Sequence, residues 1–356
     1  MKRSSTCAAI YAAAALALTC ASASREAFAQ EPTFAGQTVS MIIGFAPGGG
    51  VDLFGRTLGK HLARHLPGNP TRVVQNQPGA GGVIALNAWL RRADQRGLDL
   101  TIGAQSQTDP DALIRTQARF DPAKFRMIGG LGAFSQGLVI NKEAASRLTD
   151  KSLAPVTVGL VGSTLRGGSY QVLWGTSFLG WNVKWVLGSR STGEVRQALD
   201  RGEIEMATFG ATHDFDYLLK IGRFTVIAQT GQVQEGRRVK RAILGDAPIF
   251  SDMVRDKIVD DQARQAFGYW ENVSQIGMWV ALPPETPDAI FNAYARAFEA
   301  ATKDPEFIRE YARIDPDSIL ASRSQIEQQV GALAKVTPET LQYLNAELQR
   351  QGFTLN

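Results

Sequence analysis

Apolar and polar positions alternate near the start of the chain, and the alternation then gives way to a helical spacing. Between Thr38 and Ala46 apolar residues fall at nearly every second position, which predicts a buried strand. A glycine-rich break follows. From Val51 to Leu66 apolar residues recur at every fourth position, which predicts an amphipathic helix that Asp52 or the preceding glycine caps.

The same order of strand, small-residue loop and helix recurs along the chain, in one set before Gly137 and a second set after it. This order predicts parallel βαβ units and therefore an α/β fold. The other predicted strands are 71–75, 98–103, 156–161, 183–187, 204–209 and 224–229. The other predicted helices are 83–92, 109–118, 170–179, 193–201, 287–303 and 324–350.

Each set has glycine- and serine-rich loops between a strand and a helix. In open parallel sheets, ligands bind beyond the carboxyl ends of the strands, where such loops lie. If the two sets face each other, their loops form a cleft with backbone N–H groups on both walls. The sequence therefore predicts a ligand site between two α/β units.

The loop between the first strand and helix has the strongest chemical signal. Consecutive glycines allow close backbone approach, and the first N–H groups of the helix have no intrahelical partner. The positive end of the helix dipole adds to this, so the loop predicts an anion site suited to a carboxylate. The nucleotide-binding glycine patterns are absent, and a tight turn without a ligand is the alternative. The residues concerned are Phe45, Ala46, Pro47, Gly48, Gly49, Gly50, Val51 and Asp52.

Two later loops add candidate contacts. The loop 76–82 is again rich in glycine and lies at a predicted helix start, and the loop 162–169 combines hydroxyls with glycines. Arg166 in the latter loop is able to pair with a carboxylate bidentately, and Arg190 is a similar candidate. Solvated surface charges are the alternative for both arginines.

The first thirty residues predict export. A charged start and an apolar run precede the Ala27-Phe28-Ala29 sequence, which predicts a signal peptide of residues 1–29 cleaved before Gln30. A membrane anchor and a lipoprotein at Cys20 are the alternatives. Both cysteines lie in this leader, so the mature chain is expected to form no disulfide.

Composition narrows the function further. The 356 residues suggest two domains, and a formal net charge of only +4 gives no reason to expect a nucleic-acid partner. His61 and His65 have helical spacing without the glutamate of a zinc protease, so we expect both on an exposed basic helix face. No Gly-x-Ser-x-Gly sequence of a secreted esterase occurs. These patterns favour a binding protein over an enzyme.

Several segments resemble the receptor proteins of tripartite tricarboxylate transporters, the Bug family. The two N-terminal glycine loops with their flanking residues are the most specific. The resembling segments are Gly44-Phe45-Ala46-Pro47-Gly48-Gly49-Gly50-Val51-Asp52, Val74-Gln75-Asn76-Gln77-Pro78-Gly79-Ala80-Gly81-Gly82, Ala198-Leu199-Asp200-Arg201-Gly202-Glu203-Ile204-Glu205 and Leu282-Pro283-Pro284-Glu285-Thr286-Pro287.

The resemblance implies a type II periplasmic-binding fold in which two lobes close on a carboxylate. It implies that residues 31–131 and 232–356 form lobe 1 and that residues 132–231 form lobe 2. It places ligand contacts in the loop from Phe45 to Asp52, near Gly81 and around Ser106. In lobe 2 it places them at Ser163, Thr164, Gly168 and Ser169. No metal or cofactor is implied.

The chain departs from the family pattern in lobe 2. Val172 replaces a common histidine, and Val186-Leu187-Gly188-Ser189-Arg190 replaces a common Val-Pro-Tyr-Lys-Gly sequence. If Arg166 and Arg190 substitute for the usual contacts, a dicarboxylate or an aromatic acid is favoured.

The expected function is capture of a small carboxylate in the periplasm, a di- or tricarboxylate or an aromatic acid, by a monomer that serves an inner-membrane permease. A ligand-responsive partner of a sensor kinase's periplasmic domain is the alternative. A secreted hydrolase is a third class.

Overall fold

The computed structural model describes residues 32–353 apart from positions 94, 116–117, 134, 162–164, 166, 190 and 235–236. The predicted signal peptide lies outside the described residues. So do four of the predicted ligand contacts, namely Ser163, Thr164, Arg166 and Arg190. The described part contains β-sheets covered by helices, and the predicted α/β class is confirmed.

The strands, in chain order, are β1 (Thr38–Ile43), β2 (Thr71–Asn76), β3 (Asp99–Ala104), β4 (Arg126–Gly132), β5 (Gly137–Asn141), β6 (Val156–Val161), β7 (Val183–Ser189), β8 (Met206–Phe209), β9 (Phe224–Gln229), β10 (Gln232–Gln234), β11 (Arg237–Val239), β12 (Ile276–Leu282) and β13 (Leu320–Ala321). The α-helices are α1 (Gly50–His65), α2 (Val83–Arg92), α3 (Pro110–Arg115), α4 (Tyr170–Phe178), α5 (Thr192–Arg201), α6 (Thr212–Ile221), α7 (Phe250–Val254), α8 (Asp261–Val273), α9 (Asp288–Lys303), α10 (Pro305–Ala312), α11 (Arg323–Leu333) and α12 (Pro338–Arg350). None of these described helices has both the length and the apolar character needed to cross a bilayer.

One sheet has the strand order β13-β4-β12-β3-β1-β2. Strands β1, β2 and β3 are mutually parallel, as the βαβ pattern predicts. Strand β12 runs antiparallel to both β3 and β4, so β4 points the same way as β3. The loops that follow β1, β2, β3 and β4 therefore lie at one edge of this sheet.

The other large sheet has the order β7-β6-β8-β5-β9. Strand β6 is parallel to β7 and β8, whereas β5 is antiparallel to β8 and β9. A separate antiparallel ribbon is formed by β10 and β11. Both large sheets are therefore mixed, and the antiparallel strands were not part of the predicted βαβ pattern.

One predicted helix is wrong. The sequence indicated a single helix over 324–350, but the structure has α11 and α12 there. Thr337 caps α12 by accepting a hydrogen bond from the N–H of Thr340, and Pro338 occupies its first turn. Proline lacks the N–H that a continuous helix needs, so the chain restarts at this point.

The chain passes from the first large sheet to the second between β4 and β5, and it leaves the second sheet after β9. We call the described residues of 132–137 and 229–232 the crossings. The N–H of Thr230 donates to the Gln136 carbonyl at 2.9 Å, and the Gln136 N–H donates to the Thr230 hydroxyl at 2.9 Å. The two crossings are thus bonded side by side, which suits a shared hinge.

The buried Arg241 side chain ties the crossings to their surroundings. Its guanidinium donates to the Ser135 carbonyl at 3.2 Å, to the Thr212 hydroxyl at 2.7 Å and to the Asp317 carboxylate at 2.7 Å. It also donates to the carbonyl of Gly210. Only 2% of Arg241 is exposed, so these bonds are made largely out of water.

A continuous apolar core extends beneath both large sheets. It contains Trp89 and Trp279 from the first sheet's layer and Trp174 from the second. Helix α8 contributes Phe267, which packs edge-on against Trp174, and Trp270, whose indole N–H donates to the Gly167 carbonyl at 3.0 Å. The Tyr269 hydroxyl of α8 donates to the Asp109 carboxylate, which follows β3, so this helix contacts elements of both sheets. The lobe boundaries given by the resemblance stay a prediction.

Candidate functional site

The loop after β1 presents exposed backbone at the start of α1. Residues 46–50 are exposed, and Gly48 has a φ of +79°, which an L side chain rarely adopts. Gly49 is the helix N-cap and supplies no capping side chain. The first N–H groups of α1 have no intrahelical partner, so this end of the helix is suited to bind an anion.

The Asp52 carboxylate lies beneath this loop. It accepts hydrogen bonds from the Gly48 N–H at 2.9 Å, from Arg56 Nε at 2.8 Å and from Asn76 Nδ2 at 2.9 Å. Burial tends to raise the pKa of Asp52, but the hydrogen bonds from Arg56, Gly48 and Asn76 outweigh it and lower the pKa. Asp52 therefore supports the loop from inside, and its direct contact with a ligand stays a prediction.

The second glycine loop, residues 76–82, packs against the loops that follow β1 and β3. Residues 79–82 all have positive φ. A Cβ on Gly82 would lie 2.4 Å from Gln107 Nε2, so only glycine fits there. The Ser106 hydroxyl donates to the Gly81 carbonyl at 2.9 Å, and Gln107 Nε2 donates to the Gly82 carbonyl at 3.1 Å. Three loops of the first sheet thus form one wall.

The opposite wall comes from the second sheet. Gly168 and Ser169 are buried just before α4, and the Gly168 N–H donates to the side-chain oxygen of Gln136 in the first crossing. A Cβ on Gly168 would lie 2.5 Å from that oxygen. The predicted contact Gly168 is therefore held by the crossing itself.

A cavity of about 270 Å³ lies between these walls. It brings together the predicted residues Ser106 and Gly168, and none of its described lining residues is charged. The lining also includes Gln105, Gln136, Thr230 and Met278.

The other predicted contacts that the structure describes are not among the lining residues of this cavity. A Cβ on Gly50 would lie 3.3 Å from Met278 Cε, so the loop 45–49 at the start of α1 is adjacent to the Met278 wall. A Cβ on Gly81 would lie 3.5 Å from Ser106 Oγ. Ser169 and the first loop are not among the lining residues.

Sequence reasoning missed Gln136 and Thr230. Neither lies in a glycine loop or a periodic segment, since both belong to the crossings. Their one signal was the pair of lobe boundaries that the resemblance implies, between residues 131 and 132 and between residues 231 and 232.

One group among the described residues places ligand atoms close enough for a metal ion. His61, Glu306 and Glu310 offer atoms within 4.8 Å of one another. Lys60 already pairs with both glutamates, at 2.7 and 2.5 Å, and Arg64 pairs with Glu306 at 2.6 Å. We therefore interpret the group as an ion-pair network that attaches α1 to α10.

His61 itself is fully buried. The expectation that it lies on an exposed helix face is wrong, because the acidic start of α10 packs over that face. One of its ring nitrogens lies 3.3 Å from the Asp304 carboxylate and the other 3.0 Å from Glu310.

Comparison with known sequences gives one short match. The chain matches none of the protein-family models searched. Over 61 residues it is 43% identical to Protein BugT of Bordetella pertussis, which covers 17% of this chain and only 18% of that protein.

Comparison with solved structures gives matches over nearly the whole chain. A TctC solute-binding protein from Polaromonas superposes with a TM-score of 0.63 at 17% identity, covering 85% of this chain and 100% of that one. The periplasmic binding protein BugD gives 0.56 at 18% identity, covering 89% and 98%. A protein of R. palustris solved with adipate gives 0.58 at 17% identity, covering 89% and 98%.

The Polaromonas neighbour is a solute-binding protein, and BugD is a periplasmic binding protein. The chain has their two-lobed α/β fold, and the resemblance to the Bug and TctC receptors predicted from its sequence is confirmed.

Proposed function

We propose that the chain is a periplasmic solute-binding protein that captures a small carboxylate for a tripartite tricarboxylate-type transporter. The main support is that Ser106 and Gly168, from loops of different sheets, line one cavity that has no charged side chain among its described lining residues. The bound adipate in the R. palustris neighbour supports a carboxylate ligand. A di- or tricarboxylate or an aromatic acid is the ligand class that we propose.

Backbone donors supply the anion recognition in this proposal. The N–H groups at the start of α1 and the dipole of that 16-residue helix favour a negative group near Gly49. The Ser106 hydroxyl already donates to the Gly81 carbonyl, so its oxygen faces the cavity as an acceptor. Ser106 therefore contacts the carboxylate through a bridging water, which donates to both oxygens.

In this proposal the protein binds its ligand and does not convert it. In the proposal the chain is exported by the signal peptide 1–29 and acts in the periplasm. Lobe 1 (31–131 and 232–356) and lobe 2 (132–231) close about the two crossings, and the closed form meets the permease. Ser163, Thr164, Arg166, Ser169 and Arg190 are proposed to complete the lobe 2 wall.

Thermal unfolding and calorimetry of the chain starting at Gln30 test the proposal. Adipate, citrate, malate and benzoate serve as probes. An acid at a hundred times its dissociation constant should add about 2.7 kcal/mol to the free energy of unfolding. Calorimetric binding of at least one of these acids at one site per chain is the expected result.

Gly49→Val tests the position of the site. Gly49 has an ordinary negative φ, and a Cβ there would have only the Ala46 carbonyl at 3.5 Å as a neighbour, so the variant should fold. We expect it to lose the ligand-induced shift in melting temperature. Gly331→Val is the matched control, because Gly331 is a helical glycine with open space around it. Folded protein that binds none of the acids, or equal binding by Gly49→Val, would count against the proposal.

A further inference from the structure

A second and larger cavity, of about 660 Å³, lies beside the crossings. Its walls come from Gly132 and Gly231 in the crossings, from the β10–β11 ribbon and from helices α8 and α11. It shares Ala133 and Ser274 with the smaller cavity, but none of the glycine loops of the first sheet lines it. The two cavities are therefore neighbours with different walls.

The larger cavity is cationic. Among its described lining residues are Arg237, Arg238 and Arg255 together with the acids Asp252 and Glu271, so these residues leave one positive charge in excess. Glu271 is already engaged, since its carboxylate lies 3.2 Å from Arg238 Nε and accepts from the Ser251 hydroxyl at 2.5 Å. An anionic ligand would neutralise the excess positive charge of the arginines.

Arg238 is the least exposed of these three arginines. It donates to the Thr230 carbonyl at 2.8 Å, and 14% of its side chain is exposed. Burial lowers the pKa of Arg238, and the positive charge of Arg255 lowers it further, although Glu271 opposes this. The positive charges of Arg238 and Arg255 thus lie near the same partly desolvated space. A carboxylate bound there would stabilise both charged side chains.

Helix α11 lines another part of this cavity with amide side chains. Gln325, Gln328 and Gln329 lie on one face of α11, at the spacing that brings side chains together. The side-chain oxygen of Gln329 is buried and has no hydrogen-bond partner among the residues that the structure describes. A buried acceptor without a donor is costly, so an O–H or N–H group beside Gln329 would be favourable.

We propose that this cavity is a second small-molecule site, separate from the carboxylate site above, and that it takes a hydroxylated monocarboxylate of the sugar-acid class. The arginine pair binds the carboxylate, and the glutamine face binds the hydroxyl groups. The single excess charge of the described lining residues matches one carboxylate. A hydroxylated acid has O–H groups that can donate to the Gln329 oxygen, whereas the chain of a fatty acid has none.

Gluconate and hexanoate are suitable probes, because both are six-carbon monocarboxylates and only gluconate has hydroxyl groups. In calorimetry with the chain starting at Gln30, gluconate should bind at least about tenfold more tightly than hexanoate. Arg255→Gln and Gln329→Leu should each weaken gluconate binding about tenfold or more. Arg255 is exposed, so its variant should retain the melting temperature of the free protein.

Ser106→Ala distinguishes binding in the smaller cavity from binding in the larger one, since Ser106 lines only the smaller cavity. Gluconate affinity should be unchanged in that variant. Loss of gluconate binding in Ser106→Ala but not in Arg255→Gln would place gluconate in the smaller cavity and refute the second site. No binding of gluconate by the wild type, or hexanoate binding as tight as gluconate, would refute the proposed ligand class. None of these outcomes depends on whether the acids tested above bind.

Discussion

Gly44 and Gly82 are in direct backbone contact, such that a Cβ on Gly44 would lie 2.5 Å from Gly82 Cα and 2.8 Å from its carbonyl oxygen. Gly44 directly follows β1, and Gly82 ends the second glycine loop. Their contact sets the distance between two of the three loops that form the first wall of the site. Both glycines are therefore required by close packing, in addition to any role in ligand binding.

Gly44→Ala is expected to lower the free energy of unfolding by about 1–3 kcal/mol, because backbone atoms cannot move aside as a flexible side chain does. The displaced loop should also weaken carboxylate binding. Chemical denaturation and calorimetry measure the two effects. Gly331→Ala is the control and should raise stability by about 0.5–1 kcal/mol, since alanine favours a helix. An unchanged midpoint in Gly44→Ala would show that the two loops separate readily.

Asp52→Asn is expected to lower the free energy of unfolding at pH 7 by about 1–3 kcal/mol, because it turns an acceptor for Arg56 and Asn76 into a partial donor. The pKa of Asp52 is lowered in the folded state. Its stabilising effect is therefore complete above the unfolded pKa of about 3.9 and is lost as the pH falls through the folded pKa.

Denaturation of Asp52→Asn between pH 2 and pH 7 measures this dependence. The variant should lose part of the acid-dependent decrease that the wild type shows. Glu327→Gln, which removes an exposed ion pair with Arg323, is the control and should change stability little. If both variants behave alike, the buried carboxylate does not stabilise the loop.

Periodic segments of the fold were predictable from the sequence. The helix 83–92 and the strands 156–161 and 224–229 have the predicted bounds, because glycine or turn residues flank clear apolar patterns. Strand β4 was missed, since Gly129, Gly130 and Gly132 make its pattern resemble a loop. A Cβ on Gly130 would lie 2.1 Å from the Met278 carbonyl, so close strand packing, which the sequence does not show, selects glycine there.

The site was predictable only in part. The glycine loops indicated an anion site, because backbone geometry and helix ends can be inferred locally. Gln136, Thr230 and Met278 become neighbours through the crossings and through the pairing of β12 with β3. Such contacts depend on the path of the whole chain, so no local pattern indicates them.

Arg241→Met is expected to destabilise the protein by about 3–5 kcal/mol, because it leaves the Asp317 carboxylate and the Ser135 and Gly210 carbonyls without their buried donor. Thermal and urea unfolding measure the loss. Arg201→Met is the control, since its ion pair with Glu203 is exposed on both sides and should contribute less than about 1 kcal/mol. Similar effects of the two substitutions would contradict a special role of Arg241 at the crossings.

Asp109→Asn is expected to stabilise the protein above pH 6, which is the opposite of Asp52→Asn. Burial raises the pKa of Asp109 to about 6, although hydrogen bonds from Tyr269 and from the backbone oppose the shift. The folded state therefore binds the proton more tightly than the unfolded chain, whose carboxyl has a pKa of about 3.9. Wild-type stability attributable to this group is complete below that value and falls as the pH rises to about 6.

Asparagine is isosteric with the protonated acid and still accepts the Tyr269 hydroxyl. At pH 8 the variant should gain about 2–3 kcal/mol, and at pH 4 it should differ from the wild type by less than about 1 kcal/mol. Asp315, whose pKa burial also raises to about 6, remains in both proteins, so the comparison isolates Asp109. Urea denaturation at the two pH values makes the measurement. An equal difference at pH 4 and pH 8 would mean that Asp109 is ionised in the folded protein throughout this range.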